Sequence, residues 1–274
     1  MRLVDDLQLG VYADSRPRNL EIARLQKGLV LSLNGSELIE EGIGFGVPVV
    51  IYEDKTYFSG SASVTIEEKR QDWLVSKRFY MDTVSKKGWK DGVFVDAGLY
   101  KIVTDSLAKT YRNYPASRSV ILPLIKWRTR LGIRTLFTRV EPRGSVLVNY
   151  SIRHNSVRIR ADFSPLNKSR CKRVLLLNEQ GAGFFGRFFD SEGLDLKDGE
   201  IGPWDPVSAD WACFSNIDKV VRFCVRNRLN SMLFRGREQI KERLGWAGMG
   251  YELTPSMNHF DYTVRVHGER NEVL

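Results

Sequence analysis

Several stretches of this chain alternate apolar and polar residues with a period of two, and few folds accept that pattern. Val157, Ile159, Ala161 and Phe163 alternate with Arg158, Arg160 and Asp162. Val221, Phe223 and Val225 alternate with Arg222, Cys224 and Arg226, and Tyr262, Val264 and Val266 with Thr263, Arg265 and His267. Leu29, Leu31 and Leu33 repeat the pattern with Val30, Ser32 and Asn34. Successive strand side chains point to opposite faces, so each run reads as a strand with one dry and one wet side. One-sided strands of this kind belong to antiparallel sheets covered on one face by a second layer.

The connections between the runs agree. Asn34-Gly35 can close a tight hairpin, because both residues tolerate positive φ. Glu141-Pro142-Arg143-Gly144 joins the 133–140 run to 146–153, and His154-Asn155-Ser156 joins 146–153 to 157–163, so these three runs are expected to form a meander. Two helical windows stand out: 105–114, with Asp105 as N-cap and Pro115 as stop, and 239–244, ended by Gly245. Neither recurs between strands, so the rhythm of a parallel βαβ sheet is missing. The expected fold is all-β: one large antiparallel two-sheet sandwich over 1–274, with one or two short helices.

The 42 basic and 33 acidic residues leave a net charge of +9, spread along the chain without a basic tail. That balance suits an anionic ligand or surface and equally a solvated basic exterior. No apolar run reaches the roughly 20 residues of a membrane-spanning helix. The Met1–Asp6 start carries Asp5 and Asp6 where a secretory signal needs apolar residues, so a cytoplasmic location is expected. Three cysteines (171, 213 and 224), widely spaced, argue against a disulfide framework, and three scattered histidines argue against a zinc site. Cys213 and Cys224 read as small core residues. No disulfide, no metal and no cofactor are expected.

Four segments carry candidate chemistry. Gly42-Ile43-Gly44-Phe45-Gly46 has phosphate-loop glycines, but the strand-like Val47–Tyr52 follows where a helix is required. It reads instead as a kinked or bulged strand. Asn178-Glu179-Gln180-Gly181-Ala182-Gly183 puts a carboxylate and two amides at the end of an apolar strand, either a polar site or a capped turn. Trp204-Asp205 could hold a sugar, with the ring over C–H faces and the carboxylate on hydroxyls, or simply pack over a sandwich end. Arg235, Arg237 and Glu238, with Trp246 nearby, could grip an anion or form an internal network. Arg128, Arg130, Arg158 and Arg160 share strand parity and could line a basic sheet face, with Trp127 on the opposite side.

The meander through Arg143-Gly144, the 157–163 strand, the Trp204 loop, Trp246–Tyr251 and Phe260–Val264 together resemble the β-supersandwich of the galactose mutarotase-like superfamily, over about half the chain. That group holds aldose epimerases and the sandwich domains of several glycoside hydrolases and polysaccharide lyases. The resemblance implies a carbohydrate pocket on a concave sheet face and, if the chain turns a substrate over, chemistry of epimerase, hydrolase or lyase type. The Asn-x-x-x-His segment typical of the epimerases is not found. The catalytic candidates are Glu179 and Glu238, either of which could act as general base. The substrate-binding candidates are Trp204, Asp205, Arg235, Arg237 and Trp246. A carbohydrate is the expected partner. The alternatives are a non-catalytic module for an anionic glycan or nucleic acid, and an intracellular structural protein. No membrane partner is expected.

Overall fold

The computed structural model describes residues 1, 7–12, 25–40, 42–53, 55–69, 72–88, 110, 120, 134–241 and 244–268. Strand makes up 64% of these residues and helix 3%. In chain order the strands are β1 (Leu7–Val11), β2 (Leu29–Leu33), β3 (Ser36–Glu37), β4 (Gly44–Tyr52), β5 (Thr56–Phe58), β6 (Ser61–Lys69), β7 (Asp72–Tyr80), β8 (Thr83–Gly88), β9 (Arg134–Arg139), β10 (Ser145–Arg153), β11 (Ser156–Asp162), β12 (Cys171–Gly181), β13 (Arg187–Asp190), β14 (Asp195–Lys197), β15 (Asp205–Val207), β16 (Trp211–Ser215), β17 (Arg222–Arg226), β18 (Ser231–Lys241), β19 (Leu244–Leu253) and β20 (His259–His267).

These strands form two antiparallel sheets. The larger has eleven strands in the order β15-β18-β19-β12-β4-β5-β8-β9, with β1, β2 and β3 attached through β4. The smaller has nine, in the order β14-β13-β16-β17-β20-β11-β10-β7-β6. The sheets meet through interdigitating aromatics. Phe45 of β4 lies 5.3 Å from Phe223 of β17, and Tyr251 of β19 lies 4.7 Å from Tyr262 of β20. The expected two-sheet sandwich is therefore the observed architecture. Among the described residues no helix is long and apolar enough to cross a membrane.

The alternating runs at 157–163, 221–226 and 262–266 lie in β11, β17 and β20, with the apolar set buried in each. Asn34 (φ 49°) and Gly35 (φ 78°) close the β2–β3 hairpin in the left-handed conformation that such a turn requires. Gly44 and Gly46 also adopt positive φ, and the β4–β12 register slips beside them between Leu177 and Asn178. A Cβ on Gly46 would lie 2.8 Å from the Tyr150 ring, so this segment is a bulge where backbone meets a core aromatic.

Three expectations are corrected. First, the 133–140, 146–153 and 157–163 runs do not form one meander. β10 and β11 pair, but β9 pairs with β8 in the other sheet, and residues 140–144 carry the chain between layers. Second, 239–244 is not a helix. β18 runs on to Lys241, which pairs with Leu244. Six residues offer little more than one helical turn, whereas β19 supplies ladder partners along the whole strand.

Third, Cys213 and Cys224 form a disulfide, and Cys171 is free. β16 and β17 are a hairpin whose register sets Cys213 directly opposite Cys224, with Cα atoms 4.1 Å apart. Their separation of 11 residues is the span of a hairpin. The alternation also puts Cys224 on the same face as Arg222 and Arg226, away from the core. Of the helix expected over 105–114 only residue 110 is described, and it is helical; Arg128, Arg130 and Trp127 lie outside the described residues.

Candidate functional site

The side chains of β12 divide cleanly between two faces. Val174, Leu176, Asn178 and Gln180 point between the sheets. Asn178 Oδ1 accepts bonds from Tyr262 Oη (2.8 Å) and the Gly46 N–H (3.2 Å), while Gln180 Oε1 accepts from the Leu31 N–H and its Nε2 donates to Leu29 O. The two amides of the 178–183 segment are therefore engaged within the fold, Asn178 with the Gly46 N–H at the β4 bulge and Gln180 with backbone groups of β2. Arg173, Leu175, Leu177 and Glu179 point the other way, onto the outer face of the larger sheet.

That outer face is paved with glycine. Glu179 sits between Gly44 of β4 and Gly248 of β19, and Gly248 is flanked in turn by Gly236 of β18. A Cβ on Gly236 would lie 2.8 Å from the Trp246 ring, and one on Gly250 3.3 Å from the Trp204 ring. The bare backbone forms a shallow trough, and two indoles fill it. Trp204 and Trp246 stack with centroids 4.9 Å apart and planes 25° from parallel. Trp204 holds φ +57°, a conformation that costs a bulky residue about 1–3 kcal/mol and is kept only where the surroundings enforce it.

A groove of about 330 Å³ runs from Trp204 along this face. Leu175, Leu177 and Phe234 give it apolar walls, and the Arg173–Glu252 ion pair (3.2 Å) closes the far end. Behind Trp204, outside the groove's own lining, Trp246 Nε1 donates to Glu238 Oε2 at 3.4 Å. Glu179 is almost fully buried and accepts a bond from the Ile43 N–H. Burial, reinforced by the negative charge of Glu238, pushes its carboxyl up to about 8 despite that bond. A value near 8 favours the protonated form of Glu179 at neutral pH, beside a second carboxyl group.

The structure thus gathers four of the residues singled out from sequence, Glu179, Glu238, Trp204 and Trp246, on one face. The other three turn inward. Asp205 of β15 lies opposite Arg235 of β18, with Oδ2 3.8 Å from Nη2, and the Arg235 guanidinium lies 4.7 Å from the Phe188 ring of the smaller sheet. Arg237 Nη2 donates to Ala182 O at 2.9 Å and meets Asp198 Oδ1 at 3.0 Å. These inward groups fix β15 and the 198–204 loop, and so the backbone that carries Trp204. Arg173 and Glu252 were missed, although the alternation of β12 and β19 puts them in line with Glu179 and Gly248. Among the described residues no group of three or more His, Cys, Asp or Glu could hold a metal.

A two-layer antiparallel sandwich with an aromatic-walled groove on one outer face places the chain among large β-sandwich proteins. No known family matches the sequence, and no curated protein matches it. Among solved structures, alpha-N-acetylgalactosaminidase NagBb from Bifidobacterium bifidum, in complex with GalNAc, is similar in fold, with a TM-score of 0.51 and 10% identity. The match covers 98% of this chain and 36% of the enzyme, so the chain spans little more than a third of that protein. The Slr1438 protein from Synechocystis sp. PCC 6803 aligns over 94% of this chain and 98% of its own, at 10% identity and a TM-score of 0.34.

Proposed function

We propose that this chain is one carbohydrate-binding domain of galactose mutarotase-like supersandwich fold, with its working surface on the outer face of the larger sheet. The observation that carries the reading is the Trp204–Trp246 stack, in which Trp204 lines the groove and Trp246 bonds Glu238, the carboxyl group next to Glu179. Indole faces cover the C–H faces of sugar rings, and carboxyl groups take up the hydroxyls around them. The groove volume suits one or two sugar rings.

In this reading Trp204 stacks on the sugar and Trp246 holds it there. Glu238, oriented by Trp246 Nε1, accepts a hydroxyl or ring proton. Glu179, protonated at neutral pH, donates one to a leaving or ring oxygen. Arg235, Arg237 and Asp205 act from behind the sheet by fixing the loop under Trp204. The fold likeness to a carbohydrate-active enzyme supports a carbohydrate-related role.

The test is a glycan array followed by turnover assays on each glycan that binds, with GalNAc and its α-glycosides included. Glu179→Gln is expected to keep binding within a few-fold and to abolish turnover. Binding with no turnover in the wild type assigns the surface to recognition alone. Binding and turnover that both survive Glu179→Gln and Trp204→Ala would remove the site.

A further inference from the structure

The outer face of the smaller sheet, on the opposite side of the sandwich, carries a second cavity of about 260 Å³. Its walls come from β13, β16, β17 and β20. On one side Phe189 and Trp211 meet edge to face, with centroids 6.1 Å apart. The Cys213–Cys224 bridge lies next to them and ties β16 to β17. Arg226 lies directly opposite Trp211, and Arg222 and Arg265 stand on the far side, brought together because Arg222 lies opposite His267 and Cys224 lies opposite Arg265.

The charge in this cavity is not balanced from within. Among the described residues no carboxylate lines it. The nearby acids are engaged elsewhere: Asp261 with Arg158 (2.8 Å) and Arg228 (3.5 Å), and Asp195 with Arg187 (2.6 Å) and Lys219 (2.9 Å). Among the described residues Arg222, Arg226 and Arg265 have no carboxylate partner. His267 registers the resulting field: burial, then the charges of Arg222 and Arg265, hold its imidazole below the usual histidine range. Like charges held together repel, which is a cost to the fold that a bound anion removes.

We propose that this cavity binds a sugar-sized ligand carrying a phosphate or sulfate group, with the oxyanion between Arg222 and Arg265 and the ring against Trp211. Guanidinium forks match tetrahedral oxyanions in a bidentate way, and the indole supplies an apolar wall for the rest of the molecule. The disulfide fixes the distance between the aromatic and cationic sides, which lowers the ordering cost of binding. A compact ligand fits better than a polymer, because the row of Arg222 and Arg265 does not run on into β11, where Ser156 lies opposite Arg265 and Arg158 is committed to Asp261.

Calorimetric titration tests this with glucose 6-phosphate, N-acetylgalactosamine 6-sulfate, inorganic phosphate, inorganic sulfate, neutral glucose and a single-stranded oligonucleotide. One of the two esters is expected to bind at least tenfold tighter than its inorganic ion and than glucose, and the preferred ester identifies the anion. Arg222→Gln and Arg265→Gln should each weaken it tenfold or more, while Trp204→Ala leaves it unchanged, which separates this site from the glycan groove. In the wild type, ester binding should shift the ring proton signals of His267 and leave those of His154 and His259 in place, a readout that needs no variant. No ester binding, no shift at His267, or loss of ester binding in Trp204→Ala would each overturn the proposal. So would an oligonucleotide that binds tenfold tighter than either ester with a steep salt dependence.

Discussion

Replacing Glu179 by Gln should stabilise the protein, and by an amount that grows with pH. The folded state holds the Glu179 proton up to about pH 8, whereas the unfolded chain releases it near the ordinary value of 4.5. A raised folded value means that this carboxyl's contribution to stability is fully present below 4.5 and is lost as pH rises toward 8. At about 1.4 kcal/mol per pH unit across that window, the loss approaches about 5 kcal/mol. Glutamine keeps an oxygen for the Ile43 N–H and never ionises, so the variant escapes the loss. At about 2 °C per kcal/mol for a chain of this length, the gap in Tm should widen from near zero at pH 4.5 to roughly 10 °C at pH 8.5. Thermal melts of both proteins across pH 4.5–8.5 measure it directly. A gap that stays flat, or a variant less stable than wild type at pH 8.5, would refute the argument that Glu179 is buried and protonated.

Other consequences follow from the same geometry. Glu238→Gln removes the negative charge that helps hold Glu179 up, so the pH at which the Glu179-linked fall in stability levels off should move down, while its onset near 4.5 stays in place; an unmoved profile would mean that the two carboxyls do not interact. Reducing the Cys213–Cys224 bridge, which closes a loop of about ten residues, should cost about 2–3 kcal/mol. Mass spectrometry without reductant should find that one bridge and a free Cys171, and three free thiols would contradict it. Gly248→Ala would place a Cβ 2.3 Å from Asn178 O and 2.8 Å from Glu179 Cα, both fixed in the sheet, so soluble yield or stability should fall by more than about 3 kcal/mol. A variant that melts like wild type would disprove the close approach.

Strand identity was legible because burial on one face writes itself into alternate residues, as at 157–163 and 262–266. The Asn34-Gly35 turn and the Gly44/Gly46 bulge were legible because few residues accept their φ values. Sheet membership was not: β9 and β10 look like consecutive hairpin strands, yet nothing local says that the Glu141–Gly144 link crosses from one layer to the other. Strand pairing hid the disulfide as well, since a separation of 11 residues becomes proximity only once β16 and β17 form a hairpin.

The site was legible in half. Glu179, Glu238, Trp204 and Trp246 do share a surface. Arg237 and Glu238, however, are neighbours in one strand and cannot face the same way, and the same parity sends Arg235 inward to Asp205. The bridge also bears on location: disulfides persist in oxidising compartments and are rare in the cytoplasm, so the thiol count of protein taken directly from cells tests the cytoplasmic expectation.

The central claim is that sugars bind where Trp204 and Trp246 stack. Saturation-transfer NMR on a monosaccharide and disaccharide panel, run in parallel on wild type and Trp204→Ala, tests it most directly. The account predicts transfer to the ring C–H protons of at least one sugar in the wild type, reduced tenfold or more in Trp204→Ala while Tm falls by only a few degrees. Transfer of equal strength in both proteins, or none to any sugar in the wild type, would contradict it.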